Sequence, residues 1–289
     1  MTEFPLLIYS DLDGTLLDHD SYDFSAAMPM LKRLNQCQIE TVLCTSKTFL
    51  EVVHLREQLS NHDPFIVENG AAVYLPKARF SVPPAGATSV SSYWRYAFCP
   101  PRDHWLQLID HNRLGFDHCF EQFSTMTRDR VVALTGLSDS EAERAQAREF
   151  GEPLHWLGSD EELTEFCRTL VAQGASVLTG GRFVHICGQA DKGAAMTWLT
   201  QLLETQSGQS KITIGLGDSQ NDVAMLEACD YAVVVKSPAK GFPTLQRKDK
   251  LYFSQAFGPQ GWVEGLEYHF RQIHLPELHR LLEEDNSCG

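Results

Sequence analysis

The chain has 289 residues, 43% hydrophobic and 21% charged, and a formal net charge of −14. That balance excludes a disordered, fibrous or membrane-embedded chain. With 24 Lys and Arg against 38 Asp and Glu, it also argues against nucleic acid or an anionic membrane as partner, since both require a basic face to displace counterions.

Leu6–Ser10 (LLIYS) is an apolar run of strand length that stops at two aspartates one residue apart, Asp11 and Asp13, followed by Gly14 and Thr15. A helix is expected around Met30–Asn35 and a second strand at Thr41–Cys44. The spacing of Phe49, Val52, Val53 and Leu59 predicts a helix over 48–59, and Phe65–Val67 is a third strand, ending in Glu68-Asn69-Gly70. Strands alternating with helices predict a parallel sheet with right-handed crossovers. From about Val82 to Gly188 the texture changes, with Pro83-Pro84, Pro100-Pro101, clustered aromatics and capping boxes that open at Ser138 and Ser159. A hairpin is expected from Ser176–Thr179 to Phe183–Cys187 across Gly180-Gly181-Arg182. Alternation then resumes: helix Lys192–Leu203, strand Lys211–Leu216, helix Val223–Ala228 and strand Tyr231–Val235. The expected organisation is an α/β parallel-sheet core in two parts, 1–81 and 189–289, with an α+β module at 82–188 inserted between its third and fourth strands. The acidic stretch Glu283–Asp285 reads as a fraying end.

The eight cysteines, Cys288 included, show no C-x-x-C pair or zinc-like spacing, so buried reduced thiols are expected. The N-terminus has no basic region and its apolar run is too short for a signal peptide, which makes a cytoplasmic location the expectation. The five tryptophans read as core. Oligomeric state is left open.

In an open parallel sheet, ligands bind outside the carboxyl ends of the strands. Four polar segments fall at such ends: Asp11-Leu12-Asp13-Gly14-Thr15, Thr45-Ser46-Lys47, Asp191-Lys192, and Gly217-Asp218-Ser219-Gln220-Asn221-Asp222. Converging carboxylates repel unless a divalent cation lies among them, and an all-oxygen set suits Mg²⁺, which usually shares its coordination with a substrate phosphate. Asp11, Asp13 and Asp218 are the expected metal set, with Asn221 and Asp222 behind it. Asp11 is the expected nucleophile towards phosphorus, forming an aspartyl-phosphate. Asp13 is the expected acid and base, and Gly14 allows the turn between them. Thr45 and the Ser46 N–H would hold phosphate oxygens, and Lys192 would neutralise charge on phosphate and nucleophile.

These four segments resemble the motifs of the haloacid dehalogenase (HAD) superfamily of Mg²⁺-dependent phosphatases, and the large insertion after the third strand looks like that superfamily's C2 cap. The resemblance implies a HAD-like Rossmannoid core with an inserted α+β cap. Ser46-Lys47-Thr48, Glu68-Asn69-Gly70-Ala71, residues 148–153 (REFGEP), residues 180–185 (GGRFVH) and residues 215–222 (GLGDSQND) further resemble the mannosyl-3-phosphoglycerate phosphatases. That likeness implies a phosphorylated glycoside as small-molecule partner, a glycosyl-3-phosphoglycerate. Phe150 and Gly151 depart from the family's usual Tyr and Ser. Arg148, Glu152, Arg182 and His185 are the cap's candidates for substrate contact, beside plain structural roles for each. A broader sugar-phosphate phosphatase, or a non-catalytic phospho-accepting protein, remains open beside the glycoside reading.

Overall fold

The computed structural model describes residues 5–180, 182–273 and 278. Gly181, the 283–285 stretch and Cys288 lie outside the described residues.

The elements run β1 (Leu6–Ser10), α1 (Met28–Gln36), β2 (Glu40–Cys44), α2 (Phe49–Leu59), β3 (Phe65–Val67), β4 (Ala72–Pro76), β5 (Thr88–Val90) and β6 (Tyr93–Ala97). There follow α3 (Arg102–His111), β7 (Phe120–Gln122), α4 (Arg128–Thr135), α5 (Asp139–Gln146), β8 (Gly151–Trp156), α6 (Asp160–Ala172), β9 (Ser176–Gly180) and β10 (Phe183–Cys187). The chain closes with α7 (Lys192–Ser207), β11 (Ile212–Gly217), α8 (Val223–Ala228), β12 (Tyr231–Lys236), β13 (Leu251–Phe257) and α9 (Gly258–Phe270). A large sheet has the order β13-β12-β11-β1-β2-β3-β4-β6-β5 and a smaller one the order β7-β8-β10-β9. The large sheet is parallel from β13 to β3 and antiparallel beyond.

β1 reads as an unbroken apolar run because both its faces are covered. Leu6 and Ile8 pack into one cluster with Leu43, Phe65 and Trp262, whereas Leu7 and Tyr9 face the opposite cluster with Met196, Leu199 and Met225. Each fully buried aliphatic or aromatic side chain contributes roughly 1.5–3 kcal/mol. The register does the rest: Ser10 pairs with Leu216 of β11 and with Leu43 of β2, so the residues that follow each strand emerge side by side at one edge.

The inserted module begins later than the sequence texture suggests. β5 and β6 hydrogen-bond to the large sheet through β4, so residues 88–97 belong to that sheet, and the chain crosses to the smaller one only after Ala97. The Pro83-Pro84 pair that signalled a boundary stands in the loop between β4 and β5. Three antiparallel strands therefore intervene between the third parallel strand and the module. Both capping boxes form, at Ser138 and Ser159, as does the β9–β10 pairing. The seven described cysteines are free thiols. Among the described residues no helix is long and apolar enough to cross a membrane.

Candidate active site

α7 opens with Asp191, whose carboxylate caps the helix by accepting the Ala194 N–H at 2.9 Å. This places Lys192 in the first turn, its side chain running back to the end of β1. The ammonium is fully buried and donates to Asp11 Oδ1 at 2.7 Å and to Asp222 Oδ1 at 2.6 Å. Burial alone would depress its pKa, but the two carboxylates more than offset that and hold it charged.

Asp222 is saturated: its other oxygen accepts the backbone N–H groups of Asp218 (3.1 Å) and Ser219 (3.0 Å). It therefore positions both Lys192 and the loop that carries Asp218. Ligand oxygens of Asp11, Asp218 and Asp222 all lie within 4.8 Å of one another. Burial, and then the charge on Asp222, pushes the pKa of Asp11 upward against the pull of Lys192, and the same two causes raise Asp218. Three carboxylates and one ammonium leave two negative charges in a buried pocket. A divalent cation among hard oxygen donors balances that charge, and Mg²⁺ fits the donor chemistry. Asp11 and Asp218 would hold it. Gly14 stands against this pair: its φ is +78°, and a Cβ there would lie 2.8 Å from Asp218 Oδ2.

Of the metal set expected from sequence, the carboxylates of Asp11 and Asp218 gather, and the Asp13 carboxylate stands beside them with Lys47 Nζ 2.8 Å away. The Lys47 ammonium also sits 4.9 Å from the Tyr22 ring. Nothing in the local sequence marks this role for Lys47. Thr45 is buried, and its hydroxyl accepts the Lys47 N–H at 3.2 Å in the loop ahead of α2. Ser46 lies three residues before the first residue of α2, which is capped by Thr48. Asn221 bonds Asn69 at 3.0 Å and the Ser219 hydroxyl at 2.6 Å. Cys44, beside Thr45, is kept a neutral thiol by burial.

The module meets this edge through Glu68. Glu68, Asn69 and Gly70 are three consecutive residues with positive φ (47°, 61° and 96°), a conformation that costs a non-glycine residue about 1–2 kcal/mol. The turn carries the Glu68 carboxylate to the module, where it accepts the N–H groups of Glu149 (2.7 Å) and Phe150 (3.2 Å) and pairs with Arg148 at 3.4 Å. Arg148 in turn donates to the Ser46 carbonyl at 3.2 Å, and the Thr48 hydroxyl donates to the Arg144 carbonyl at 2.9 Å. The Asn-Gly dipeptide was the visible signal for this turn, but nothing local revealed what Glu68 reaches.

Two adjoining clefts lie between sheet edge and module. One, of about 590 Å³, is lined by residues including Ser46, Asn69, Arg148, His185, Asn221 and Lys240. The other, of about 170 Å³, is lined by Asp13, Ser46, Lys47, Arg148 and His185 among others. Two of the four module candidates thus face the clefts. Burial and the Arg148 charge push the His185 pKa down to about 4, so its imidazole is neutral. Glu152 does not face them: it is fully buried in β8, accepting from Ser124 N and Oγ at 2.9 Å and from Arg102 Nε at 2.6 Å. Arg182 is exposed and donates to the Leu134 carbonyl at the end of α4.

Comparison with known proteins points the same way for both parts of the large sheet. A family of haloacid dehalogenase-like hydrolases matches residues 8–82, and the sucrose-6F-phosphate phosphohydrolase family matches residues 163–271. Among solved structures, a Thermotoga maritima protein aligns at 16% identity over 94% of this chain and 98% of its own, with a TM-score of 0.64. A Bacteroides thetaiotaomicron protein, described among phosphatases of the haloalkanoate (HAD) enzyme superfamily, aligns at 14% identity over 94% and 97%, with a TM-score of 0.64. The sucrose-phosphatase of Synechocystis sp. PCC6803, solved with sucrose and phosphate, aligns at 17% identity over 91% and 97%, with a TM-score of 0.53. Likeness at these identities shows the fold. The two family matches, the second of which begins inside the inserted module, make residues 8–82 similar to haloacid dehalogenase-like hydrolases and residues 163–271 similar to sucrose-6F-phosphate phosphohydrolases.

Proposed function

We propose that this protein is a Mg²⁺-dependent phosphomonoesterase acting on a phosphorylated sugar or glycoside through an aspartyl-phosphate on Asp11. The observation that carries the reading is the buried Lys192 set between Asp11 and Asp222, with Asp218 alongside. When bound, Mg²⁺ supplies positive charge at the phosphoryl oxygens. Asp11, with one oxygen held by Lys192, presents the other to phosphorus; the P–O bond to the leaving alcohol breaks as the Asp11–phosphorus bond forms. Asp13, on the wall of the smaller cleft, gives its proton to the departing alcohol oxygen. It then takes a proton from the water that attacks phosphorus, and the released phosphate leaves Asp11 free again. The Thr45–Lys47 loop offers N–H and hydroxyl groups to the phosphate, and Lys192 balances charge on phosphate and nucleophile.

A cleft of about 590 Å³ is of a size for a small glycoside, and Arg148 and Lys240 give it cationic groups for an anionic substituent. A glycosyl-3-phosphoglycerate, with mannosyl-3-phosphoglycerate foremost, is our first candidate from the likeness in residues 46–48, 68–71, 148–153 and 180–185. The match of residues 163–271 to sucrose-6F-phosphate phosphohydrolases favours a phosphorylated disaccharide as the second. The test is phosphate release from p-nitrophenyl phosphate with Mg²⁺, followed by a panel of both substrate classes ranked by kcat/KM. Turnover should vanish on chelation and in Asp11→Asn; turnover by undeamidated Asp11→Asn protein would overturn the covalent route.

A further inference from the structure

Separate from the carboxylate cluster, the module brings together the donors of a different kind of metal centre. His118 and Cys119 stand in the turn between α3 and β7, and Glu162 is in the first turn of α6. His118 Nε2 lies 3.6 Å from Cys119 Sγ and 3.7 Å from Glu162 Oε1, and the three donor atoms all lie within 4.8 Å of one another. Zinc holds thiolate sulfur at about 2.3 Å and imidazole nitrogen or carboxylate oxygen at about 2.0–2.2 Å, so a tetrahedron's edges measure roughly 3.4–3.6 Å. Two of the three edges thus stand close to their ligated length with the main chain as it is.

The backbone is arranged to bring these atoms together. The Cys119 carbonyl accepts the N–H groups of Leu157 (2.7 Å) and Gly158 (3.1 Å), which ties the turn to the segment entering α6. A Cβ on Gly158 would lie 2.9 Å from Glu162 Oε2 and 3.0 Å from Cys119 Sγ, so a side chain there would part the two donors. Glu162 Oε2 accepts the Ser159 N–H at 2.8 Å as part of the capping box, which leaves Oε1 turned towards His118. Cys119 forms the buried floor, while His118 stands on the solvent side.

We infer that His118, Cys119 and Glu162 form a three-ligand site for a zinc-class divalent cation. Sulfur, nitrogen and oxygen together select borderline-soft ions, whereas the all-oxygen carboxylate set of the sheet edge suits Mg²⁺, so the two sites sort different metals. Binding forms the metal–sulfur bond and releases the Cys119 thiol proton to solvent. The ion fastens the start of α6 to the turn that leads into β7.

Cobalt(II) serves as the probe, added to the full-length protein in excess Mg²⁺ so that the oxygen site is filled. One Co²⁺ per chain should give a thiolate-to-cobalt charge-transfer band in the near ultraviolet that Zn²⁺ displaces and that Cys119→Ser abolishes. His118→Asn and Glu162→Gln should each weaken Co²⁺ binding by about tenfold or more, and Gln at position 162 keeps the capping box. His118 is three-quarters exposed, so His118→Asn spares the fold and carries the test alone should Cys119→Ser not fold. No charge-transfer band, a band that survives Cys119→Ser, or affinity unchanged in His118→Asn would each overturn the site.

Discussion

Replacing Lys192 by Met keeps most of the side-chain volume and removes only the charge, so it isolates the electrostatic role of the buried ammonium. Its side chain and that of Asp222 are wholly buried, and that of Asp11 is 7% exposed. Removing one partner of such a pair leaves uncompensated buried charge, at about 3–5 kcal/mol. At roughly 2–4 °C per kcal/mol, Tm should fall by about 6–20 °C in metal-free buffer. Two further results follow from the same charge count. Mg²⁺ should raise the Tm of Lys192→Met by more than it raises that of the parent, because the variant leaves three carboxylates for the ion instead of a partly neutralised set. The double variant Lys192→Met/Asp222→Asn should recover part of the lost stability while phosphate release stays absent. Differential scanning calorimetry with and without Mg²⁺ reads the three melting shifts, and a phosphate assay reads the lost turnover. A single variant melting within about 2 °C of the parent, or a double variant no more stable than the single, would refute the charge argument.

Gly14→Ala combines about 1–2 kcal/mol of left-handed strain with a Cβ 2.8 Å from Asp218 Oδ2, and should weaken Mg²⁺ binding by about tenfold or more; Gly136→Ala, at φ +79° with open space around it, should show the strain in Tm but unchanged Mg²⁺ affinity by calorimetric titration. Equal effects on Mg²⁺ would remove Asp218 from the explanation. His185, with its pKa pushed below the usual imidazole value, binds a proton in the unfolded chain before it does in the fold. The stability it contributes is present above about pH 6.5 and lost as pH falls towards about 4, so His185→Gln should flatten the urea midpoint across that window; parallel curves for parent and variant exclude it. Arg148→Ala should raise KM for phosphorylated glycosides far more than for p-nitrophenyl phosphate, whereas Arg182→Ala should leave both nearly unchanged. Steady-state kinetics on the two substrates decide between them, and a larger effect at Arg182 reverses the assignment.

The sheet edge was legible because its signals are local and redundant. An apolar strand that stops at Asp11, a helix that begins at Lys192 and the tight Gly217–Asp222 loop each mark their own position, and strand register alone then makes them neighbours. The capping boxes at Ser138 and Ser159 were readable for the same reason. What sequence left unseen depends on partners far along the chain. Glu152 looks like a polar residue beside a Pro, and only Arg102, fifty residues earlier, shows it to be one half of a buried pair. Arg182 and His185 stand three residues apart, yet in the hairpin they face different surroundings, the Leu134 carbonyl and the two clefts. β5 and β6 read as part of the module because the prolines and aromatics around them mask a pairing that only β4 provides.

The strained turn at Glu68 couples the module to the sheet edge. Two non-glycine residues held at positive φ are retained only where the surroundings over-determine them, and here the surroundings are the module's own backbone, two N–H groups and a guanidinium on one carboxylate. Burial raises the pKa of Glu68 overall, although Arg148 and those N–H groups pull the other way, so these contacts limit what burial of the carboxylate costs. Because Arg148 also bonds the Ser46 carbonyl, the loop ahead of α2 and the wall of the clefts are held by the same side chain. Loosening the module at Glu68 must therefore disturb the loop ahead of α2 as well as the clefts. In Glu68→Gln the neutral amide keeps an acceptor for one N–H but loses the charge that holds Arg148, so kcat should fall even on p-nitrophenyl phosphate, which needs no glycoside contact. A Glu68→Gln enzyme with parental kcat on that substrate would show that the module and the loop act independently.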